Sequence, residues 1–249
     1  ATASCRISPT YVASHDLQEP LRKVRAFGDR LRTKYSGVLD ARALGYLERM
    51  EGATARMQAL IEDLLALSRV TTKGRPFAPV DLLGEVLRGV LSDLEARVEQ
   101  AGGRVEVGGL PSVEADRAQM RQLFQNLVSN ALKFSREGEP PVVRVRGEPS
   151  DGGAVWRIVV EDNGIGFEGE YAERIFAPFE RLHGRGAYEG TGMGLAICRR
   201  VVERHGGTIT ARSAPGRGAT FAVTLPVQHY VRETPAQGDG VHDYAAVGR

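Results

Sequence analysis

The first 72 residues carry two long amphipathic patterns separated by a short turn, and this arrangement limits what the chain can fold into. Apolar residues recur at spacings of three and four from Tyr11 to about Tyr35 and again from about Ala41 to Val70, which predicts a hairpin of two α-helices. Such a hairpin leaves much of its apolar stripe uncovered, and the same hairpin of a second copy is the least demanding cover. The sequence therefore predicts a dimeric four-helix bundle built from residues 1–72.

The segment "TTKGRPFAPV" interrupts the helical pattern with one glycine and two prolines and predicts a linker over residues 73–80. Helical patterns and short alternating strands follow, an order that favours a two-layer α/β sandwich over residues 81–226. Residues 227–249 are polar without sustained periodicity, which predicts a loosely held tail. The whole chain is therefore expected to be of the α+β class. The elements predicted in the sandwich are helices over Leu82–Gln100, Arg117–Phe134 and Thr191–His205, strands in "RVEV", "VVRVRG" and "AVWRIVVEDNG", and a closing hairpin in "GGTITARSAPGRGATFAVTLP".

Composition excludes several classes of function. Lys and Arg total 33 against 31 Asp and Glu, and the net charge of +2 gives no broad basic field that would attract nucleic acid. Cys5 and Cys198 lie far apart without CxxC spacing, which indicates reduced thiols rather than a zinc site or a disulfide framework. No window approaches the ~18 consecutive apolar residues of a membrane-spanning helix, and the first residues lack the regions of a signal peptide. We therefore expect a soluble, cytoplasmic chain with no membrane segment and no nucleic-acid partner.

Asn126 and Asn130 in "QNLVSNALKF" are four residues apart, so a helix places both amides on one face, with Lys133 close to Asn130 on the next turn. An amide oxygen can ligate Mg²⁺, and an ammonium group can meet a phosphate. Taken alone, the same pattern is also typical of a solvated helix surface. The segments that follow favour the phosphate interpretation.

A second segment, "VVEDNGIGF", brings Asp162 to the end of a β-rich run. Gly164 and Gly166 then let the backbone turn and approach a flat ligand closely. For this segment alone, a glycine turn closed by a hydrogen bond to the aspartate is the favoured interpretation.

The third segment, "GTGMGLAI", has Gly190, Gly192 and Gly194 leading directly into an apolar helix. Free amides and the positive end of that helix would form an anion site, although a capping turn would look the same. There is no GxxxxGK[ST] P-loop, and the segment does not follow a first strand as the Rossmann fingerprint requires. The three segments therefore need a different nucleotide-binding fold.

Together the three segments resemble the N, G1 and G2 boxes of sensor histidine kinases, which belong to an ATPase superfamily shared with gyrase and mismatch-repair proteins. "IFAPFERLHG" resembles the F box and "VASHDLQEPLR" the H box, and the wording of "FERLHGRGAYEGTGMGLAI" is similar to that of phytochrome-type kinases. Five motifs stand in the family's order over about residues 11–226. The resemblance implies that residues 1–72 are a dimerisation and histidine-phosphotransfer domain and that residues 81–226 are a catalytic, ATP-binding domain of the histidine kinase and gyrase type.

By this resemblance, His15 would be the phosphoacceptor and would attack the γ-phosphate of ATP through a neutral imidazole nitrogen. Asp16 would orient His15 and accept its other proton as a general base. Pro20, one turn further on, would bend the helix and permit the looseness that phosphoryl transfer requires. That role explains a proline inside a helix, which otherwise costs about 3 kcal/mol.

The resemblance also implies a site for ATP and Mg²⁺ in the second domain. Asp162 would accept a hydrogen bond from the adenine amino group, Asn130 would be the magnesium ligand, and Lys133 would contact phosphate as a catalytic residue. Thr220 would help to hold the adenine through its hydroxyl. The residues implied in nucleotide binding are Asn126, Asn130, Lys133, Phe134, Asp162, Gly164, Gly166, Gly190, Gly192, Gly194, Leu195 and Thr220.

Residues 181–189, which are rich in Arg, His and Gly, would form a mobile lid over the ATP. Phe176 and Phe179, just before this segment, have two open interpretations, since they either act with the lid or simply anchor its base in the core. A lid arginine would join Lys133 and Mg²⁺ in neutralising the phosphates.

The partners implied are a second copy of the chain and the receiver domain of a separate response regulator, and we expect an upstream sensor domain to be missing from this chain. Glu19 departs from the family pattern, because kinases that also dephosphorylate their regulator commonly carry Thr or Asn four residues past the histidine. Three hypotheses follow: an autophosphorylating kinase, the same fold acting mainly as a regulator phosphatase, and a nucleotide-binding dimeric scaffold without autokinase activity. The opening "ATASCRISPT" carries Ser8 and Pro9 and lacks a heptad, so we expect either that the chain is a fragment or that residues 1–10 are not native structure.

Overall fold

The computed structural model describes residues 9–72, 74–182, 188 and 190–228, and for residues 9–17 and Thr71 it describes the backbone alone. The predicted tail therefore lies almost entirely outside the described residues. The same holds for residues 1–8.

Residues 9–72 form the predicted helical hairpin. The first helix, α1, spans Pro9–Tyr35, and the second, α2, spans Ala41–Thr72. Asp40 begins α2 by accepting a hydrogen bond from the Ala43 amide at 2.7 Å, which satisfies one of the amides left open at the start of a helix. Pro20 lies inside α1, as the sequence predicts.

Much of the apolar stripe on this hairpin is exposed. On α1, Phe27 is 62% and Leu31 is 42% exposed, although both belong to the predicted apolar face. On α2 the exposed apolar side chains are Tyr46, Met50, Met57 and Leu64. A stripe of this length is what the predicted four-helix bundle would bury. Among the described residues, no helix combines the length and apolar character needed to cross a bilayer.

The second domain contains seven strands and three α-helices within the described residues. The strands are β1 (Ala78–Asp81), β2 (Arg104–Val107), β3 (Ser112–Ala115), β4 (Val142–Ser150), β5 (Val155–Asp162), β6 (Thr208–Ser213) and β7 (Ala219–Pro226). The helices are α3 (Arg88–Gln100), which follows a π-helical segment Leu82–Leu87, α4 (Arg117–Lys133) and α5 (Gly194–Arg204). Short 3₁₀ turns occupy Asp151–Gly153, Gly169–Tyr171 and Arg174–Phe176.

Five of these strands form one mixed sheet in the order β2-β4-β5-β7-β6, and β1 pairs with β3 in a separate antiparallel ribbon. Only β2 and β4 run parallel in the larger sheet, as far as the structure describes it. Helices cover one face of the sheet, so the predicted two-layer sandwich and the α+β class are confirmed. The interior side chains between the layers include Met120, Leu123, Phe124, Leu127, Ile158, Val160, Ile197, Val201, Phe221 and Val223.

Three details differ from the sequence prediction. Helix α5 begins at Gly194 rather than Thr191, because Gly192 has a φ of 79° and cannot belong to a right-handed helix. The ribbon of β1 and β3 was not predicted, and β1 starts at Ala78, inside the segment 73–80 interpreted as a linker. A proline is tolerated there because β1 has one neighbouring strand among the described residues.

The end of α2 is fastened to the second domain by a buried polar cluster. The Gln119 side chain donates to the Val70 carbonyl at 3.1 Å, and Arg204 donates to Gln119 at 2.8 Å and to the Arg75 carbonyl at 2.8 Å. Buried Asp116 receives the Arg75 amide at 2.7 Å and the guanidinium of Arg204 at 3.3 Å. Val70 and Arg75 are therefore held against α4 and α5.

Candidate functional site

The end of α4 presents the first predicted segment to the glycine-rich segment before α5. The Asn126 side chain donates a hydrogen bond to the Gly194 carbonyl at 3.2 Å. This bond uses the amide nitrogen and leaves the amide oxygen to accept. Asn130 lies one turn further along the same face and is half-buried, and its side chain makes no hydrogen bond with the described residues. Neither amide oxygen accepts a hydrogen bond from the described residues.

Lys133 and Phe134 lie at the C-terminal end of α4, beside both glycine segments. The Lys133 ammonium is 4.4 Å from the centroid of the Phe134 ring, and a Cβ at Gly190 would lie 3.0 Å from it. The Phe134 carbonyl accepts the Ile165 amide at 2.9 Å, and its ring lies 4.9 Å from that of Tyr188. The Lys133 ammonium thus lies where the end of α4 approaches both the Asp162 loop and the glycine segment before α5.

Asp162 ends β5 and is held by backbone amides on either side. Its Oδ1 accepts hydrogen bonds from the Gly164 amide at 2.8 Å and the Ala219 amide at 3.1 Å. Oδ2 accepts none from the described residues, so it is the atom left for a ligand. Burial raises the pKa of the Asp162 carboxyl above its usual range, and the two amide hydrogen bonds oppose that rise.

Two glycines are required by the way these segments approach one another. A Cβ at Gly164 would lie 2.3 Å from the Phe134 carbonyl oxygen, so any side chain there would push α4 away from β5. Gly192 has a positive φ, and a Cβ on it would lie 2.8 Å from the Glu180 carbonyl oxygen. The remaining predicted glycines, Gly166 and Gly190, lie in the same two loops, and Gly194 is the first residue of α5.

Arg181, the first residue of the predicted lid, is hydrogen-bonded to two residues near the end of the same segment. Its guanidinium donates to the Gly190 carbonyl at 2.7 Å and to the Tyr188 carbonyl at 2.6 Å. Residues 183–187 and Glu189 of the predicted lid lie outside the described residues. The two phenylalanines before it differ: Phe176 is buried in the core, whereas Phe179 is 55% exposed with a φ of 64°. The burial of Phe176 favours the interpretation in which it anchors the base of the predicted lid in the core.

Thr220 lies on the face of the sheet opposite to the one that carries Asp162. It pairs with Glu161, and Ala219 and Phe221 on either side of it are buried in the core beneath the helices. Because side chains alternate along a strand, Thr220 points to the opposite face of the sheet from Asp162, away from α4. The hydroxyl role predicted for Thr220 is therefore corrected, and the contact to Asp162 comes from the Ala219 amide. Leu195 is half-buried on α5 and packs against the core.

His15 and Asp16 lie in the described backbone of α1, but their side chains lie outside the description. Their predicted roles thus rest on the sequence. Glu19, one turn beyond His15, forms an ion pair with Lys23 at 2.7 Å.

Oxygen donors at this site fit a magnesium ion held mainly by phosphates and water. Within the described residues, no cluster of three or more His, Cys, Asp or Glu side chains could form a metal cage. Mg²⁺ commonly uses few protein oxygens when it binds with nucleotide phosphates. The amide oxygen of Asn130, with no hydrogen-bond partner among the described residues, suits that role.

Sequence reasoning missed three contributors to the site. These are the Ala219 amide, the ring of Tyr188 and the two carbonyl contacts of Arg181. The two-residue period of a strand in "GATFAVTLP" could have identified Ala219, because neighbouring residues of a strand face opposite ways and Ala219 shares its face with Phe221. The Tyr188 contact depends on how the loop folds and has no signal in the sequence.

Two family models match the chain. Residues 115–229 match the histidine kinase-, DNA gyrase B- and HSP90-like ATPase family, and residues 10–73 match the His Kinase A (phospho-acceptor) domain. The two matches meet the two domains of the structure. Helices α4 and α5 and strands β4 to β7 of the five-stranded sheet fall in the first match, β2 lies just before it, and α1 and α2 correspond to the second.

Two relatives are similar in sequence to most of this chain. Phytochrome-like protein Cph1 of Synechocystis sp. is 41% identical over 217 residues, which are 87% of this chain and 28% of that protein. Cyanobacterial phytochrome A of Nostoc sp. is 42% identical over 223 residues, which are 90% of this chain and 29% of that protein. This chain therefore spans less than a third of the length of either relative.

Two solved structures are similar to this chain, one over most of its length and one over the second domain. Full-length ShkA in complex with AMPPNP superposes with a TM-score of 0.66 and 27% identity, covering 87% of this chain and 45% of that one. The catalytic domain of histidine kinase ThkA, in a nucleotide-free form, has a TM-score of 0.52 and 28% identity, covering 62% of this chain and all of that one.

Proposed function

Because the chain belongs to the sensor histidine kinases of two-component systems, we propose that it transfers the γ-phosphoryl group of ATP to His15 and then to an aspartate of a separate response regulator. In the first step an imidazole nitrogen of His15 bonds to the γ-phosphorus as the bond to the bridging oxygen of ADP breaks. Asp16 accepts the proton from the other ring nitrogen. In the second step the phosphoryl group leaves the histidine for the carboxylate of the regulator.

One observation carries the proposal: the end of α4 contacts both glycine segments at once. Asn126 is bonded to Gly194, Lys133 stands beside Gly190, and the Phe134 carbonyl accepts an amide of the Asp162 loop. These groups are far apart in sequence, and each alone has an ordinary structural explanation. Their convergence on one cleft provides a carboxylate, two amides and a cation for a nucleoside triphosphate.

Each group meets a different part of ATP. Oδ2 of Asp162 accepts a hydrogen bond from the adenine amino group, which selects adenine because guanine carries a carbonyl at that position. Lys133 and the amides at the start of α5 meet the phosphates. The structural neighbour ShkA binds AMPPNP, an ATP analogue, which supports a nucleotide in this cleft.

A magnesium ion would be held by Asn130 and, when bound, would neutralise charge on the phosphates. The covalent chemistry asks little of the protein. Lys133 and Asn126 therefore contribute by position, since phosphoryl transfer depends on alignment of the attacking nitrogen with the leaving oxygen.

The hairpin acts as a homodimer. Phe27, Leu31 and the apolar residues of α2 are exposed in one chain, and two copies of the hairpin would bury them in a four-helix bundle. Phosphatase activity toward the regulator is the less favoured function. The Glu19 carboxylate is paired with Lys23, which opposes its use in positioning a water.

Autophosphorylation is tested by incubating the full chain with γ-labelled ATP and Mg²⁺. We expect acid-labile, base-stable label on the protein, loss of label in His15→Gln and in Asn130→Ala, and unchanged label in the control His229→Gln. A protein that binds ATP and remains unlabelled would contradict the proposal. It would then favour a nucleotide-binding scaffold.

A further inference from the structure

Thr191, in the glycine segment before α5, is bonded to helix α2 of the hairpin. Its hydroxyl donates a hydrogen bond to the carboxylate of Asp63, and the same oxygen accepts the Met193 amide at 3.3 Å. One side chain thus connects the hairpin to the start of α5. That start is the end of the helix where the ATP phosphates are proposed to bind.

Measured along the axis of the hairpin, the residue counts place Asp63 at about the same position as His15. Helices α1 and α2 run antiparallel, and a Cβ at Gly28 would lie 3.3 Å from the Met50 side chain, so these two positions are level. His15 lies thirteen residues before Gly28, and Asp63 lies thirteen residues after Met50. Since each residue advances a helix by 1.5 Å, His15 and Asp63 are level as well.

A second attachment fixes the opposite end of α5. Arg204, the last residue of α5, donates to the Arg75 carbonyl at 2.8 Å and is bonded to Gln119. Gln119 in turn donates to the Val70 carbonyl at the end of α2. Because α5 is held to the α2 chain at both ends, Thr191 and Asp63 meet in a defined orientation.

We propose that Asp63 is a positioning residue for phosphoryl transfer, which holds Thr191 so that the phosphate-binding end of α5 stays level with His15. This inference rests on the proposed autophosphorylation. Asp63 touches neither ATP nor the phosphorylated nitrogen, so it acts through Thr191. Loss of the contact leaves the nucleotide site intact but lets its phosphate end drift along the hairpin.

Charge offers the opposite possibility. A carboxylate close to a phosphate site can repel the phosphates, and in that case Asp63 would slow the reaction. The two cases differ in sign. Removal of Asp63 lowers the maximal rate if the residue positions α5, and raises it if the residue repels ATP.

The experiment measures autophosphorylation over a range of ATP concentrations for Asp63→Ala, Thr191→Val and the double variant. We expect kcat to fall on the order of tenfold to a hundredfold in each, with KM for ATP and the melting temperature unchanged. The double variant should be no slower than either single variant, since both remove one contact. Thr191→Ser, which keeps the hydroxyl, should restore the wild-type rate.

Glu62→Ala is the matched control, because Glu62 is the neighbouring carboxylate on α2 and its described hydrogen bond comes from Gln58 of its own helix at 3.0 Å. Its rate should equal that of the wild type. Suppose that the wild type takes label. The positioning role alone would then be overturned if the Asp63 and Thr191 variants react as fast as the wild type or faster, or if the two losses add in the double variant. The same holds for an effect confined to KM or to the melting temperature. A wild type that takes no label would overturn the proposed function as well.

Discussion

The Ala219 amide donates a 3.1 Å hydrogen bond to Oδ1 of Asp162, so the first residue of β7 orients the carboxylate that ends β5. The Gly164 amide binds the same oxygen at 2.8 Å. Both contacts come from the backbone and would survive most changes of side chain. They leave Oδ2 as the acceptor that we propose for the adenine amino group.

Replacing Asp162 by Asn should weaken ATP binding about tenfold or more, because a hydrogen bond to a charged acceptor contributes roughly 1.5–3 kcal/mol. Isothermal titration calorimetry with ATP measures the change directly. Glu161→Gln is a suitable control, since Glu161 pairs with Arg146 on the opposite face of the sheet. Equal affinity in Asp162→Asn and wild type would remove Asp162 from the adenine site.

In the protein without nucleotide, the free energy of unfolding of Asp162→Asn should increase relative to that of the wild type as the pH rises. Burial raises the folded-state pKa of Asp162 above its unfolded value of about 3.9. The stability that this group contributes is therefore fully present below the unfolded pKa and lost as the pH rises through the folded pKa. Urea unfolding measured from acid to neutral pH should show the free energy of unfolding of Asp162→Asn rising relative to that of the wild type. A gap that stays constant, or that moves in favour of wild type, would contradict the burial argument.

Arg204→Leu should destabilise the second domain by about 3 kcal/mol, because it removes one partner of a buried ion pair and leaves Asp116 without its cation. Arg200→Leu, which changes an exposed arginine on the same helix, should have little effect. Denaturant unfolding of both variants measures the difference. Similar stabilities would mean that the polar cluster does not hold Val70 and Arg75 in solution.

Phe27→Glu should dissociate the dimer, since it places a charge in the stripe that the four-helix bundle would bury. Val38→Glu in the exposed turn provides the control and should leave the dimer intact. Sedimentation equilibrium reports the mass of each variant. A wild-type chain that sediments as a monomer would disprove the four-helix bundle.

Local patterns predicted most of this fold. The three- and four-residue spacing of apolar side chains indicated α1 and α2, and the order of motifs indicated the sandwich. The ribbon of β1 and β3 escaped prediction because a strand of four residues with Val80 as its one buried position has no visible period. Pro79 also reads as a break in sequence, although a ribbon strand accepts it.

The candidate site was predicted as a set of residues but not as a set of contacts. Helical spacing placed Asn126 and Lys133 near one another on α4 and the family resemblance gave them their roles, whereas the neighbours of Thr220 required the strand register. The bond between Thr191 and Asp63 joins two domains. No local pattern encodes it, because it depends on how α5 packs beside α2.

Mapping the phosphorylated residue tests the central claim most directly. After incubation with ATP and Mg²⁺, trypsin digestion under non-acidic conditions yields the peptide of residues 7–22, in which His15 is the one histidine beside the hydroxyl groups of Ser8, Thr10, Tyr11 and Ser14. Tandem mass spectrometry should place a single phosphate on His15 of this peptide. A phosphate on Ser14 or another hydroxyl, or a peptide that stays unmodified while ATP is bound, would contradict the account.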